Sequence, residues 1–423
     1  MNRIILIGNG FDLAHGMPTR YEDFIKWYWG HRLKGFEKSY TYRDEDELCV
    51  FDVNPSIVNR MRWSEVYGYA MRSELSSVEF INRNILQNTA MFQVHYSMFF
   101  KNICRSIETK GWVDIENEYY RLLKGIAKKL IKCTLQELNT QIAYLQSLLT
   151  EYLSMIDNKS LIMQELKSIL YGPIKAQDVS VAGQKDLADY FEFWLQQDEN
   201  ALLYKLTRYE IPHIVDYVDD LKAFRGVYHE GFSNMESVLS ALKEHDRMYE
   251  KIGLRPDRIL FLNFNYTANA ERYFRKQKGF EFNYIHGDLR RADGIIFGYG
   301  DDLDKDYKEI QNLNDNEYLR NMKAYRYLES SNYRDMLSFI ESAPYQIYIM
   351  GHSCGNSDRT LLNTLFEHRN CVTIKPFYYK QDELTDNYLD IVQNISRNFT
   401  DMKLMRDRVV NKTFCEPLPQ CAC

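Results

Sequence analysis

His286 has the strongest claim on acid–base chemistry in this sequence. It stands in Tyr284-Ile285-His286-Gly287-Asp288, directly after an apolar run. An imidazole changes charge near neutral pH, and the adjacent glycine permits close approach of a substrate, so a general base is favoured over a satisfied structural histidine. Asp288 could orient it. A second polar group, Asn263-Phe264-Asn265-Tyr266-Thr267, follows another apolar run. Two buried asparagines need partners, either a ligand or a buried network, and capping the next helix would use only one of them. A third group opens the chain: Gly8-Asn9-Gly10-Phe11-Asp12-Leu13-Ala14-His15-Gly16-Met17-Pro18-Thr19. Gly8 and Gly10 allow a tight turn, and the helix after Gly10 would aim free N–H groups at a phosphate. The dinucleotide fingerprint is incomplete because residue 13 is Leu. A structural turn is an equal reading, but the second turn, Gly16-Met17-Pro18, makes a loop able to wrap a cofactor. Asp12 either bonds a ribose hydroxyl or caps the helix.

The fourth group is Gly351-His352-Ser353-Cys354-Gly355-Asn356-Ser357-Asp358. Its spacing matches the nucleophile elbow G-x-S-x-G, with Ser353 as attacking group. Asp358 and His368 come too soon after it to fold back as a triad. A small-residue phosphate or ribose loop, with Asp358 capping the next helix, is the better reading. Gly298-Tyr299-Gly300-Asp301 is equally well a surface turn.

These groups need a frame that brings them together. Arg3 to Ile7, Arg258 to Phe264, Phe280 to Ile285, Gly294 to Phe297, Tyr345 to Met350 and Cys371 to Phe377 read as strands. Ala268 to Lys278, Asn316 to Glu341, Asp358 to Arg369 and Asp382 to Arg397 read as helices. Strand alternating with helix implies an α/β fold with a parallel sheet, and ligands of such sheets bind beyond the carboxyl ends of the strands. The first strand is N-terminal and the second lies past residue 257, so the material between is an insertion. We expect residues 1–30 and 255–410 to form a nucleotide-binding domain, 31–254 a mainly helical insertion, and 411–423 a tail. Residues 30–75 mix aromatic and charged types without a clear period. Leu135, Leu138, Ile142, Leu145, Leu149, Tyr152 and Ile156 keep a 3-4 spacing over three heptads. That seam serves either oligomerisation or a helical hairpin, and its short length favours the hairpin.

Composition narrows the function classes. There are 53 basic and 59 acidic residues, a net charge of −6, which gives no general reason to bind nucleic acid. No apolar run approaches the roughly 18 residues of a membrane-spanning helix, and the four-residue apolar start is not a signal peptide, so the cytoplasm is expected and a membrane partner is not. Eight cysteines are too few for a disulfide framework. Cys415, Cys421 and Cys423 cluster at the end. Without a C-x2-C pair they read as free thiols in a frayed tail, and no metal is expected.

Taken together, the strand-end groups resemble the AbiH family of bacteriophage abortive-infection proteins. The resemblance is carried by residues 4–19, Asn263 to Thr267, Ile285-His286-Gly287, and Gly351-His352-Ser353 with Asp358. Trp112-Val113-Asp114-Ile115-Glu116 resembles a Trp-acidic motif of that family, against the plainer reading of acids on a helix surface. A more distant resemblance is to sirtuin-like NAD-binding domains, whose loops occur in the same order. It implies a Rossmann-like, sirtuin-type sheet. Gly8, Asn9 and Gly10 would cradle the pyrophosphate of NAD, Gly16 and Pro18 would line the nicotinamide side, Gly351 with Ser353 would contact the adenosine half, and Phe11, Asp12 and Asp358 would complete the cofactor-binding set. Asn265 or Asn263, with Thr267, would stand for an Asn-x-Asp pair whose catalytic Asn, taken as Asn265, positions the water or ribose through its amide, and His286 would be the active-site histidine. The paired cysteines of the zinc-bearing, protein-deacylating branch are missing, which fits an NAD-cleaving branch of antiphage defence. NAD would then be the substrate. A phage protein would be the trigger, and the helical region a place for self-association. The alternative from another class is a non-catalytic nucleotide sensor or toxin scaffold acting through a protein partner.

Overall fold

The computed structural model describes all residues except 39–42, 54–91, 111–113, 158–160, 211–225, 227–233, 249–252, 291–293 and 422–423. Its described strands are β1 (Asn2–Ile7), β2 (Arg43–Glu45), β3 (Cys49–Val53), β4 (Phe92–Tyr96), β5 (Ile259–Asn263), β6 (Phe280–Tyr284), β7 (Tyr345–Met350) and β8 (Cys371–Phe377). The chain divides into two compact units. One comprises Met1–Gly16, Asn158–Ile295 and Tyr327–Cys423, and the other Met17–Asp157 and Ile296–Arg326. The described helices between Gln164 and Met248, expected within the insertion, thus fall in the unit that holds β1.

That first unit is an α/β fold built on a five-stranded parallel sheet of order β6-β5-β1-β7-β8. Counting only these strands, the order is third, second, first, fourth, fifth. The sheet therefore reverses direction of growth between β1 and β7, and the crevice at such a reversal is where ligands bind. β1 is apolar except at its start and buried along its whole length, as a central parallel strand with both faces covered must be. One face packs Ile5, Ile7, Phe261 and Met350 against Phe11, Leu166, Leu170 and Tyr273. A second core gathers Val372 with Leu187, Phe191, Trp194 and Leu242 from the helices Gln184–Gln196 and Met235–Met248. Arg3, fully buried, donates to Gln346 Oε1 (2.7 Å) and to the carbonyls of Leu170, Gly172 and Pro173, which ties that segment to β1 and β7.

The second unit contains the helices Tyr21–Lys38, Met98–Lys110, Ile115–Ala127 and Leu135–Met155, together with the antiparallel sheet β2-β3-β4. The insertion, expected to be mainly helical, also contains a small sheet. Its strands are short and mix charged with aromatic residues, which hid them. The 135–156 seam forms one helix, opened by a capping box of Thr134 and Glu137. Leu138, Ile142, Leu145, Leu149 and Tyr152 are buried, with the helices Ile115–Ala127 and Tyr21–Lys38 packed alongside in the same unit. Of the Trp-acidic motif, Trp112 and Val113 lie outside the described residues. Asp114 caps the helix by accepting from Asn117 N (2.9 Å). Glu116 is no surface acid: it is buried, accepting from Gly298 N (3.0 Å) and pairing with the buried Lys323 at 2.9 Å.

Three expected elements are corrected. Gly294–Phe297 forms no strand, because the run is too short, and the nearby pairing is a lone bridge of Tyr299 with Met322. The helix expected over Ala268–Lys278 is a 3-10 turn, Asn269–Tyr273. The helix expected over Asn316–Glu341 is broken into Asn316–Tyr318, Lys323–Arg326, Tyr327–Glu329 and Asn332–Ser342, with a turn at Ser330-Ser331. The end of the chain is not frayed as far as it is described. Leu418 is buried, its N–H bonds Tyr378 O, and Cys421 N bonds Ala14 O (2.8 Å). Among the described residues no helix is long and apolar enough to cross a membrane.

Candidate functional site

The loops after β1 and β7 meet at the sheet reversal. Gly8 N donates to Met350 O, and Gly10 N to Gly351 O (2.8 Å). A Cβ on Gly8 would run into the His352 backbone, one on Gly10 would lie 2.7 Å from Gly351 Cα, and one on Gly351 would strike Phe11 N. Loop against loop thus accounts for these three glycines. The helix begins at Asn9 rather than after Gly10 and runs only to Ala14, with Gly8 at its N-cap. Asn9 and Ser353 are exposed on the two loops, as is Asn356. The Ser353 carbonyl accepts from Asn394 (2.9 Å).

The loop after β5 braces the first loop from behind. Asn263 is fully buried and bonds its own turn, donating to the carbonyls of Asn265 and Thr267 and accepting from Asn265 N. Asn265 Nδ2 donates to Gly8 O (3.0 Å). Asp12 lies inside its helix and caps nothing. It accepts from Thr267 Oγ1 (2.6 Å) and Asn269 Nδ2 (3.0 Å). Burial raises its carboxyl to about 6, opposed by hydrogen bonds from Thr267, Asn269 and Asn265. The polar cluster is therefore a buried network. His15 closes the same element: Nδ1–H donates to Phe11 O (2.7 Å), Nε2 accepts from Tyr273 Oη (2.6 Å), and burial lowers its basicity. Gly16 turns in the left-handed region (φ 73°) and is exposed, while Pro18 belongs to the other unit, where its carbonyl accepts from Tyr152 (2.6 Å).

His286 follows β6 and is buried. Its Nε2 lies 3.1 Å from Tyr327 Oη and 3.2 Å from Asp358 Oδ1. The other oxygen of Asp358 is 3.6 Å from His352 Nε2. Phe264 sets its ring edge-on to both imidazoles, with centroids 5.0 Å from His286 and 4.2 Å from His352. Asp358 occupies the N-cap position of the helix Arg359–Glu367, but its side chain makes no cap bond. That corrects the capping expectation. Asp288 accepts from Arg290 N and Nε (both 2.9 Å), and the carboxylate beside the His286 Nε2 is Asp358's. Cys354 is buried, and burial pushes its thiol far up, so it is no nucleophile. Among the described residues no group of three or more His, Cys, Asp or Glu is placed to hold a metal ion.

Of the residues singled out in the sequence, the structure brings together Gly8, Gly10, Phe11, Asp12, Asn263, Asn265, Thr267 and Gly351 as one loop assembly. His286 and Asp358 join it through His352 and Phe264. Three residues were missed as site members. Phe264 and His352 stood inside quoted motifs but were passed over for their polar neighbours. Tyr327 gave no signal, because it lies in a stretch whose period reads as continuous helix.

The family model described as bacteriophage abortive infection AbiH matches residues 4–379, a span that contains every residue of this site. No curated protein matches the chain, and no solved structure does.

Proposed function

The chain belongs to the bacteriophage abortive infection AbiH family, and from that premise we propose that it is an abortive-infection effector whose sheet unit binds NAD+ and hydrolyses it to nicotinamide and ADP-ribose. The observation that carries the proposal is His286 Nε2 beside Asp358 Oδ1, at the carboxyl ends of a parallel sheet and tied to the loops of its reversal point. The order of the loops, similar to that of sirtuin-like domains, supports the same reading.

The reaction breaks the bond between ribose C1′ and the nicotinamide nitrogen, and the bond pair leaves with the ring as neutral nicotinamide. Positive charge develops on the sugar. Water adds to C1′ and gives up a proton. His286 is the base for that proton. In this reading Nε2, 3.2 Å from Asp358 Oδ1 and 3.1 Å from Tyr327 Oη, carries the proton, the basic lone pair is on Nδ1, and the carboxylate stabilises the imidazolium that forms. Asn265 acts on the loop through Gly8 O and is a positioning residue. Asn9 and Ser353, exposed on the two loops, are the side chains offered to the diphosphate and ribose.

A second reading is a non-catalytic nucleotide sensor or toxin scaffold acting through a protein partner. Nicotinamide release from NAD+ by the purified chain separates the two. The proposal expects turnover that falls by a factor on the order of 100 or more in His286→Ala. Intact NAD+ with wild-type protein, in cells where phage protection persists, would favour the sensor.

A further inference from the structure

We propose, resting on the NAD+-cleavage reading above, that His352 is a positioning residue of the site: it holds the Asp358 carboxylate so that the carboxylate can hold His286. Four observations converge on it. The loop after β7 contains two left-handed residues, Gly351 (φ 74°) and the non-glycine Cys354 (φ 54°). A non-glycine residue there is strained, and such strain persists only where the surroundings impose it. The strained turn delivers Cys354 N–H to His352 Nδ1 (3.0 Å), and Asn398 Nδ2 locks the turn by donating to Cys354 O (2.9 Å). With Nδ1 accepting, neutral His352 must carry its proton on Nε2, the atom that faces Asp358 Oδ2. At 3.6 Å this is an electrostatic contact, of a kind that shortens when a site closes on substrate.

Asp358 supplies the third observation. A carboxylate at a helix N-cap ordinarily accepts from its own helix. Here it makes no such bond and presents one oxygen to each imidazole. The fourth is Phe264, whose ring touches both imidazoles edge-on and fixes their separation. The chain of control runs from Cys354 N–H through His352 and Asp358 to His286, with the Tyr327 hydroxyl as the other group at the His286 Nε2. All of these side chains are buried, so the orientation of the base is set before substrate arrives.

The test compares His352→Gln, whose amide can accept from Cys354 N–H and donate to Asp358, with His352→Ala and with His352→Phe, which fills the space against Phe264 but donates nothing. Imidazole nitrogen NMR reads the His286 tautomer directly. A single Nε2–H form is expected in wild type and His352→Gln, and a mixture in His352→Ala and His352→Phe. For nicotinamide release, kcat should fall about tenfold or more in the Ala and Phe variants, with KM within about twofold, and return in Gln. An unchanged His286 spectrum in both Ala and Phe, or a Gln variant no better than Phe, overturns the proposal. If wild type leaves NAD+ intact while the NMR pattern appears as expected, the cleavage reading falls and the positioning role of His352 stands.

Discussion

Asp12 sits beneath the glycine loop with three donors on its carboxylate, and its burial has a measurable consequence. In the folded chain its carboxyl is raised from 3.8 to about 6, so between those values the folded chain keeps a proton that the unfolded chain has lost. The resulting stabilisation is full below pH 3.8 and disappears as pH rises through about 6. Denaturant titrations of wild type and Asp12→Asn across pH 4 to 7 should show the wild type losing stability relative to the variant through that window. A constant difference would contradict the assignment. The chemistry of these residues was readable only in part. His286 and Asn265 were singled out because polar types after apolar runs are conspicuous. Their partners were not, because what decides the role of an Asn or an Asp is the group that reaches it, and those groups come from residues up to 257 positions away.

The reversal-point loops are packed so closely that backbone freedom at Gly351 is a requirement. A side chain there would meet the Phe11 backbone while the residue is held at φ 74°. Gly351→Ala should therefore destabilise the sheet unit by about 2 kcal/mol or more, read as a lower denaturation midpoint. A loss below about 0.5 kcal/mol would mean that the loops separate easily. The strands were the most legible elements. Tyr345–Met350 and Cys371–Phe377 coincide with the expected bounds, because buried parallel strands leave dense apolar and β-branched runs, here broken by Gln346, Thr373 and Lys375. The segments around 268–278 and 316–341 have helical period, yet the side chains of Asn269 and Asn321 bond distant partners and local turns replace the helix.

Across the whole chain, the α/β character and the parallel sheet were legible because strand and helix alternate. The division into two units was not, because the described helices Gln164–Leu170, Gln184–Gln196, Glu199–Thr207 and Met235–Met248 resemble those of the other unit and only packing assigns them to the sheet unit. The second unit contains a buried pair of its own, Glu116 with Lys323. Removing one partner of such a pair strands the other charge. Glu116→Gln should lower the stability of that unit by about 3 kcal/mol, and a change under about 1 kcal/mol would show that the pair is dispensable. In the other unit, the central proposal is that the bend at Gly8–Gly10 and the imidazole of His286 serve one dinucleotide. Crystals of His286→Ala soaked with NAD+ test it most directly. The account predicts the nicotinamide ribose beside residue 286 and Asp358, with the diphosphate along Asn9 and Ser353. A dinucleotide bound elsewhere on the chain, or none at millimolar NAD+, would contradict it.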